Sequence, residues 1–134
     1  MTRYADVSIG AALPSLSVPL TRTLIAATAI ATRDYNQIHH DLEFAHGSGS
    51  KDIIMNILTT NGFVGRFVTD WAGSDAIVRS VKIRLGVPNY PGDTMVLTGE
   101  VTALDDAERL ATIAVRGSNS LGDHVTGTVD VVLP

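Results

Sequence analysis

The chain has no cysteine, which removes disulfides, thiolate metal sites and a cysteine nucleophile, and leaves the cytoplasm as the default compartment. Excess positive charge is also missing. The 10 Lys+Arg are scattered among 14 Asp+Glu for a formal net charge of -4, so no basic stripe can neutralise a phosphate backbone and nucleic acid is not an expected partner. No apolar run reaches the roughly 20 residues of a bilayer-spanning helix. The stretch LIAATAIAT from Leu24 to Thr32 falls well short of that. A polar, proline-broken segment precedes it where a signal peptide would have a short basic region, so a buried Ala-rich helix is expected there and no membrane association. Repeats, low-complexity tracts and linker-like stretches are absent too, so residues 1–134 read as a single domain.

What is present is the composition of a compact soluble protein, with 45% hydrophobic and 18% charged residues. At this length a domain buries about 70% of the surface of its unfolded chain, enough for one core. The opening DVSIGAALPSLSVPLT is broken by Gly10, Pro14 and Pro19 and reads as an edge strand or irregular hairpin. Thr21 or Thr23 can then cap a helix running to about Thr32. The polar stretch from Arg33 to Ser50 reads as a loop.

From Asp52 to Trp71, Ile54, Ile57, Leu58, Val64, Val68 and Trp71 follow helical spacing, and Ile53, Phe63 and Phe67 widen the stripe. A helix buried on most sides is predicted. Gly62 and Gly65 lower its propensity and point to close approach of another backbone or a ligand at their face. Beyond Gly73, four β segments are expected at about 76–87, 94–104, 110–119 and 124–133, separated by turns at NYPGD, LDDAE and SLGD. An α+β domain satisfies both patterns: a long central helix wrapped by an antiparallel sheet, with an open edge strand that favours dimerisation.

Asp34, Asn36, His39, His40 and Asp41 crowd together between the two helices. A His and a carboxylate can move a proton. The N-terminus of the following helix offers unpaired N–H groups for an oxyanion. By spacing alone such a cluster is unspecific, because polar loops often use Asp, Asn and His to make turns and caps.

The cluster resembles the signature of the MaoC-like family of (R)-specific enoyl-CoA hydratases, in which an Asp, an Asn, a His, a further Asp and an Ala recur at fixed intervals. Asp34, Asn36, His39, Asp41 and Ala45 match that spacing. The likeness continues through PSLSVPLT, the central helix ending TDW, the turn from Pro91 to Asp93 and the late RGSNSLGDHVTGTV segment. The resemblance implies a hot-dog fold that pairs through its sheet, with Asp34 and His39 as catalytic residues that hold and deprotonate water. Asn36 would shape the loop at the substrate site, the CoA thioester would be substrate, and no cofactor would be needed.

The chain departs from the family at two places. Arg33 and Gln37 stand where the family has Gly and Pro, which leaves the loop's backbone path open. Met55-Asn56 replaces the His-Gly pair that opens the central helix. The backbone N–H of Asn56 is then the candidate oxyanion donor, since Asn tolerates unusual backbone angles better than most residues. These departures, with the GSKDI, TDWAG and RLGVP segments, resemble the small MaoC-like subunit of actinobacterial steroid side-chain hydratases. That likeness implies a steroid-CoA substrate and a second MaoC-like subunit as partner, the other possibility being a homodimer.

Blander readings stand beside these. His39, His40, His46 and Asp41 can be drawn as a metal site, but structural zinc sites gather ligands from separate elements and often use Cys, so no metal is expected. His124 reads as a satisfied strand histidine, Arg33 as a solvated charge, and Phe63, Phe67 and Trp71 as core rather than a steroid shelf. Two other functions remain open: a hot-dog acyl-CoA thioesterase, for which Asp52 is the acid near the central helix, and a non-catalytic subunit completing a partner's substrate tunnel.

Overall fold

The computed structural model describes all 134 residues. A short 3-10 turn at Tyr4–Asp6 leads to strand β1 (Leu16–Pro19), helix α1 (Arg22–Ala31), a second 3-10 turn (Gln37–His39), a short helix α2 (Leu42–Gly47) and the central helix α3 (Ile57–Ala72). Four strands follow: β2 (Ile77–Leu85), β3 (Thr94–Asp105), β4 (Leu110–Asn119) and β5 (Gly122–Val132). The strands form one antiparallel sheet in the order β1-β3-β4-β5-β2. This is the expected α+β hot-dog arrangement, a sheet curled about one long helix.

Alternation along the strands explains the curl. Met95, Leu97 and Val101 of β3, Ala111, Ile113 and Val115 of β4, and Val125, Val129 and Val131 of β5 are buried on one face. Val64, Phe67, Val68 and Ala72 of α3 pack into the same cluster at helical spacing. Gly99 makes the closest approach possible, since a Cβ there would lie 2.9 Å from the Phe67 ring.

Three expectations need correction. The loop between Arg33 and Ser50 contains two short helical elements, each begun by a side-chain cap: Asn36 accepts from the Ile38 N–H, and Asp41 from the Phe44 N–H. The central helix begins at Ile57 rather than Asp52, because Asn56 caps it and the residues before it run extended. The apolar side chains of its first turn are not buried either: Ile57 and Leu58 are 51% and 50% exposed, while Thr59 and Thr60 face inward. Gly62 and Gly65 meet nothing within 4 Å in this chain, so no backbone of its own explains them. No helix is long and apolar enough to cross a membrane.

Candidate active site

Asp34 is delivered by the end of α1. The Arg33 N–H bonds the Ile30 carbonyl and the Asp34 N–H the Ala29 carbonyl, both at 2.9 Å. That pair of bonds is a Schellman motif, which requires a left-handed residue after the helix cap. Arg33 supplies it, with φ 58°. The conformation usually given to Gly is thus kept by an Arg, at a cost of about 1 kcal/mol or more.

His39 ends the 3-10 turn and is buried. An extended segment passes beside it: the Ile54 N–H donates to the Ile38 carbonyl at 3.2 Å, and the Met55 N–H to the Asn89 carbonyl at 3.2 Å. His39 Nδ1 lies 2.7 Å from the Ile54 carbonyl. A carbonyl only accepts, so Nδ1 carries the proton and neutral His39 has its lone pair on Nε2. That nitrogen faces Asp34 Oδ2 at 3.2 Å.

The Asp34 carboxyl is held at both oxygens. Oδ1 accepts from the Asn36 N–H at 3.3 Å, and Oδ2 from Asn56 Nδ2 at 3.2 Å. Its pKa is pushed below the ordinary carboxylate value, first by the Asn56 amide and next by the Asn36 N–H, with desolvation opposing and His39 adding to the effect when its ring is protonated. Asp34 is therefore an anion at neutral pH. Two acceptors, Oδ2 and Nε2, lie together, and a water molecule bridging them from the open side would donate one proton to each and keep a lone pair for attack. The Asp34 side chain is 29% exposed and the His39 side chain 10%, so a ligand reaches the pair from the Asp34 side.

Asn56 lies beside them at the start of α3, with φ -81° and ψ 159°. Any residue adopts those angles, so the conformational tolerance of Asn is not what allows it at this position. Its N–H donates to no group of the chain, and the first-turn N–H groups of α3 stand next to it. Such groups can hold a developing oxyanion.

The other candidates have separate duties. His40 Nε2 approaches the Tyr35 carbonyl, His46 Nε2 the Lys51 carbonyl, and Asp41 caps α2. Asn36 caps the turn carrying His39 and steadies Asp34. Asp52 pairs with Arg22 at 2.7 Å. Burial pushes its carboxyl up, but the Arg22 guanidinium and the Ile53 N–H outweigh this and hold it below the usual range. His124 is buried and doubly bonded, through Nδ1 to the Val87 carbonyl at 2.6 Å and through Nε2 to the Thr60 hydroxyl at 2.8 Å. Phe67 is core, and Phe63 and Trp71 pack against it.

Sequence reasoning missed Thr32, Thr59 and the Ile54 carbonyl, which fix the Asn56 amide and the His39 tautomer. Thr59 is a local partner three residues after the Asn56 cap, whereas Thr32 and the Ile54 carbonyl carry no pattern and only the fold brings them to the site. A cavity of about 500 Å³ lies over β3, β4 and β5, lined in part by Thr98, Glu100, Arg116 and Thr126, and contains neither Asp34 nor His39.

Residues 6–123, which include every part of this site, match the family described as the MaoC like domain. The chain belongs to the MaoC-like family. It is 52% identical over 123 residues to the 3-oxo-4,17-pregnadiene-20-carboxyl-CoA hydratase beta subunit of Mycobacterium tuberculosis, covering 92% of this chain and 94% of that one. It is 30% identical over 112 residues to the (R)-specific enoyl-CoA hydratase of Aeromonas caviae, covering 82% of this chain and 84% of the other. Among solved structures, a chain of the ChsH1-ChsH2 complex from Mycobacterium tuberculosis superposes with a TM-score of 0.91 at 50% identity, over 95% of this chain and 98% of that chain. The MaoC-like hot-dog fold inferred from the Asp34–Ala45 signature is therefore the fold of this chain.

Proposed function

We propose that this chain is the catalytic subunit of a cytoplasmic hydratase that adds water across the 2,3-double bond of a 2-enoyl-CoA thioester. The acyl group is a steroid with a short unsaturated side chain, and a second MaoC-like subunit completes the enzyme. The observation that carries this reading is the His39 tautomer: with Nδ1–H committed to the Ile54 carbonyl, Nε2 is free as a base beside the Asp34 carboxylate. The names of the Mycobacterium tuberculosis relative and of the two-component complex support the substrate and the partner.

In the reaction, water held by Asp34 and His39 attacks the β-carbon while its proton passes to Nε2. The C=C electron pair moves to the α-carbon and thioester oxygen, where the Asn56 N–H meets the charge. The imidazolium formed on His39, stabilised meanwhile by Asp34, then returns that proton to the α-carbon of the enolate, which leaves both residues in their starting states. Atoms and charge balance without a cofactor. Each proton-transfer group contributes about 10²- to 10⁴-fold, and an oxyanion donor about 3 to 4 kcal/mol.

Exposed apolar side chains adjoin the site in sequence: Tyr35 is 66% exposed, Ile57 51% and Leu58 50%. Apolar surface of this kind is where an acyl group or a second subunit gains most from burial. The β2 edge offers nine residues without proline, whereas the β1 edge has four and ends at Pro19, so β2 is the edge for pairing. A thioesterase is less well supported, because Asp52 is tied to Arg22 and the Asp34–His39 pair would have no task.

The test is to produce the chain alone and with a second MaoC-like subunit, then follow loss of enoyl-thioester absorbance with linear and steroid 2-enoyl-CoA. Hydration of the steroid substrate by the two-subunit enzyme is expected. Release of free thiol instead, or no turnover by either preparation, would overturn the proposal.

A further inference from the structure

The side chain of Asn56 has a role that its place as a helix cap does not require. Its amide orientation is forced. The Thr59 N–H and hydroxyl both bond Oδ1, and a backbone N–H can only donate, so the oxygen faces Thr59 and Nδ2 faces the other way. On that side the Thr32 hydroxyl, which donates back to the Thr28 carbonyl at 2.8 Å, accepts from Nδ2 at 2.9 Å. The second Nδ2 proton reaches Asp34 Oδ2 at 3.2 Å, the same oxygen that faces His39 Nε2. Both donors and the acceptor of a residue only 2% exposed are thereby used, and no other arrangement of the amide satisfies these neighbours.

From this geometry we infer that Asn56 is a positioning residue for the Asp34 carboxylate: its amide links the start of α3 to that carboxylate, in addition to any part its backbone N–H takes with substrate. The inference rests on the hydratase reading for its kinetic consequence, but not for its structural one. One consequence is mechanical. Oδ2 cannot rotate away from Nε2 without abandoning the amide, so the pair of acceptors that holds water is kept in register. The other is electrostatic. The amide is the largest influence holding Asp34 ionised. His39 is the one titratable group in contact with that carboxylate; Thr32 and Asn56 are neutral. Capping alone needs only Oδ1, and a Ser or Asp would supply an acceptor equally well.

Asn56→Ser and Asn56→Asp separate the two roles, since each keeps an oxygen for the Thr59 N–H and removes the donor to Asp34. The carboxyl carbon of Asp34 is titrated by carbon NMR in the purified protein, and kcat and KM are measured across pH in the two-subunit enzyme. In Asn56→Ser the Asp34 midpoint should rise, the acidic limb of the kcat profile should move up with it, and kcat should fall on the order of 10- to 100-fold, the range for a group that orients a reacting one. Asn56→Asp should raise the midpoint further, through a second negative charge beside the first. An unchanged Asp34 midpoint in a folded Asn56→Ser protein would overturn the inference. That result can be read even if the chain hydrates no thioester, so failure of this inference and failure of the hydratase reading are distinguishable.

Discussion

Arg33→Gly should stabilise the protein, although it removes a side chain and adds a flexible residue. Arg33 sits at φ 58°, where an L-residue with a Cβ pays about 1–2 kcal/mol relative to the right-handed region. The side chain gives nothing back, since it is exposed and forms no hydrogen bond or ion pair in the chain. Gly avoids the steric cost but enlarges the unfolded ensemble, returning about 0.4–1 kcal/mol. The net gain is about 0.5–1 kcal/mol, or roughly 2–4 °C in Tm for a domain near this size. Arg33→Val should move the other way by about 1 kcal/mol, because a branched Cβ is least tolerated there. Both backbone bonds, from Arg33 and Asp34 to the end of α1, survive in the Gly variant, so Asp34 keeps its place. Thermal unfolding of the three proteins in the same assembly state is the assay. A Tm for Arg33→Gly at or below that of the parent would refute the argument from strain.

Other perturbations have equally definite outcomes. His124 is buried and neutral, its pKa pushed down by desolvation, with the bond to Val87 opposing. The unfolded chain therefore binds the proton first, and His124 contributes stability that is complete above about pH 6.5 and is lost as pH falls from there through its folded value. Denaturant unfolding between pH 7.5 and 5 should show a smaller pH-dependent loss in His124→Asn than in the parent; equal losses would contradict the assignment. Gly127→Ala would bring a Cβ against the Lys82 carbonyl and to 3.0 Å from the Ile83 Cα. That separates β5 from β2 and should cost about 3 kcal/mol, the upper range for overpacking, again read by denaturant. An unchanged midpoint would show that the strands part without penalty.

The sequence made the long elements legible because they are periodic. The α3 stripe of Val64, Phe67 and Val68 and the alternation of β3 to β5 are repeated signals, and their errors are confined to ends, as at Asp52, where an apolar run continues past the cap into an extended segment. The two short elements between Arg33 and Ser50 were not legible. A helical piece of three or six residues has no periodicity to read, and its caps, Asn36 and Asp41, look like ordinary turn residues. Apolar spacing alone places Ile57 and Leu58 on the core stripe, because it cannot distinguish a face buried by the chain itself from one left for a ligand or a partner.

At the site, Asp34 and His39 were found through the local motif, and the fold brings them into contact as that motif implies. The left-handed turn at Arg33 could not be read, because Arg carries no preference for it; only the bonds closing α1 reveal it. The tie from Asn56 to Asp34 joins residues far apart in the chain, and no local pattern announces such a contact. The replacement of a family Gly by Asn at that position was visible, but which way its amide points was not.

The central claim is that Asp34 and His39 act together on one water molecule. It is tested most directly by kcat/KM for steroid enoyl-CoA hydration with Asp34→Asn, His39→Ala and the double variant, each in the two-subunit enzyme and each checked for folding. Each single substitution should lower kcat/KM by at least about 100-fold. The double variant should be scarcely worse than the poorer single one, as for groups that work as a unit. Full activity in either single variant would contradict the claim.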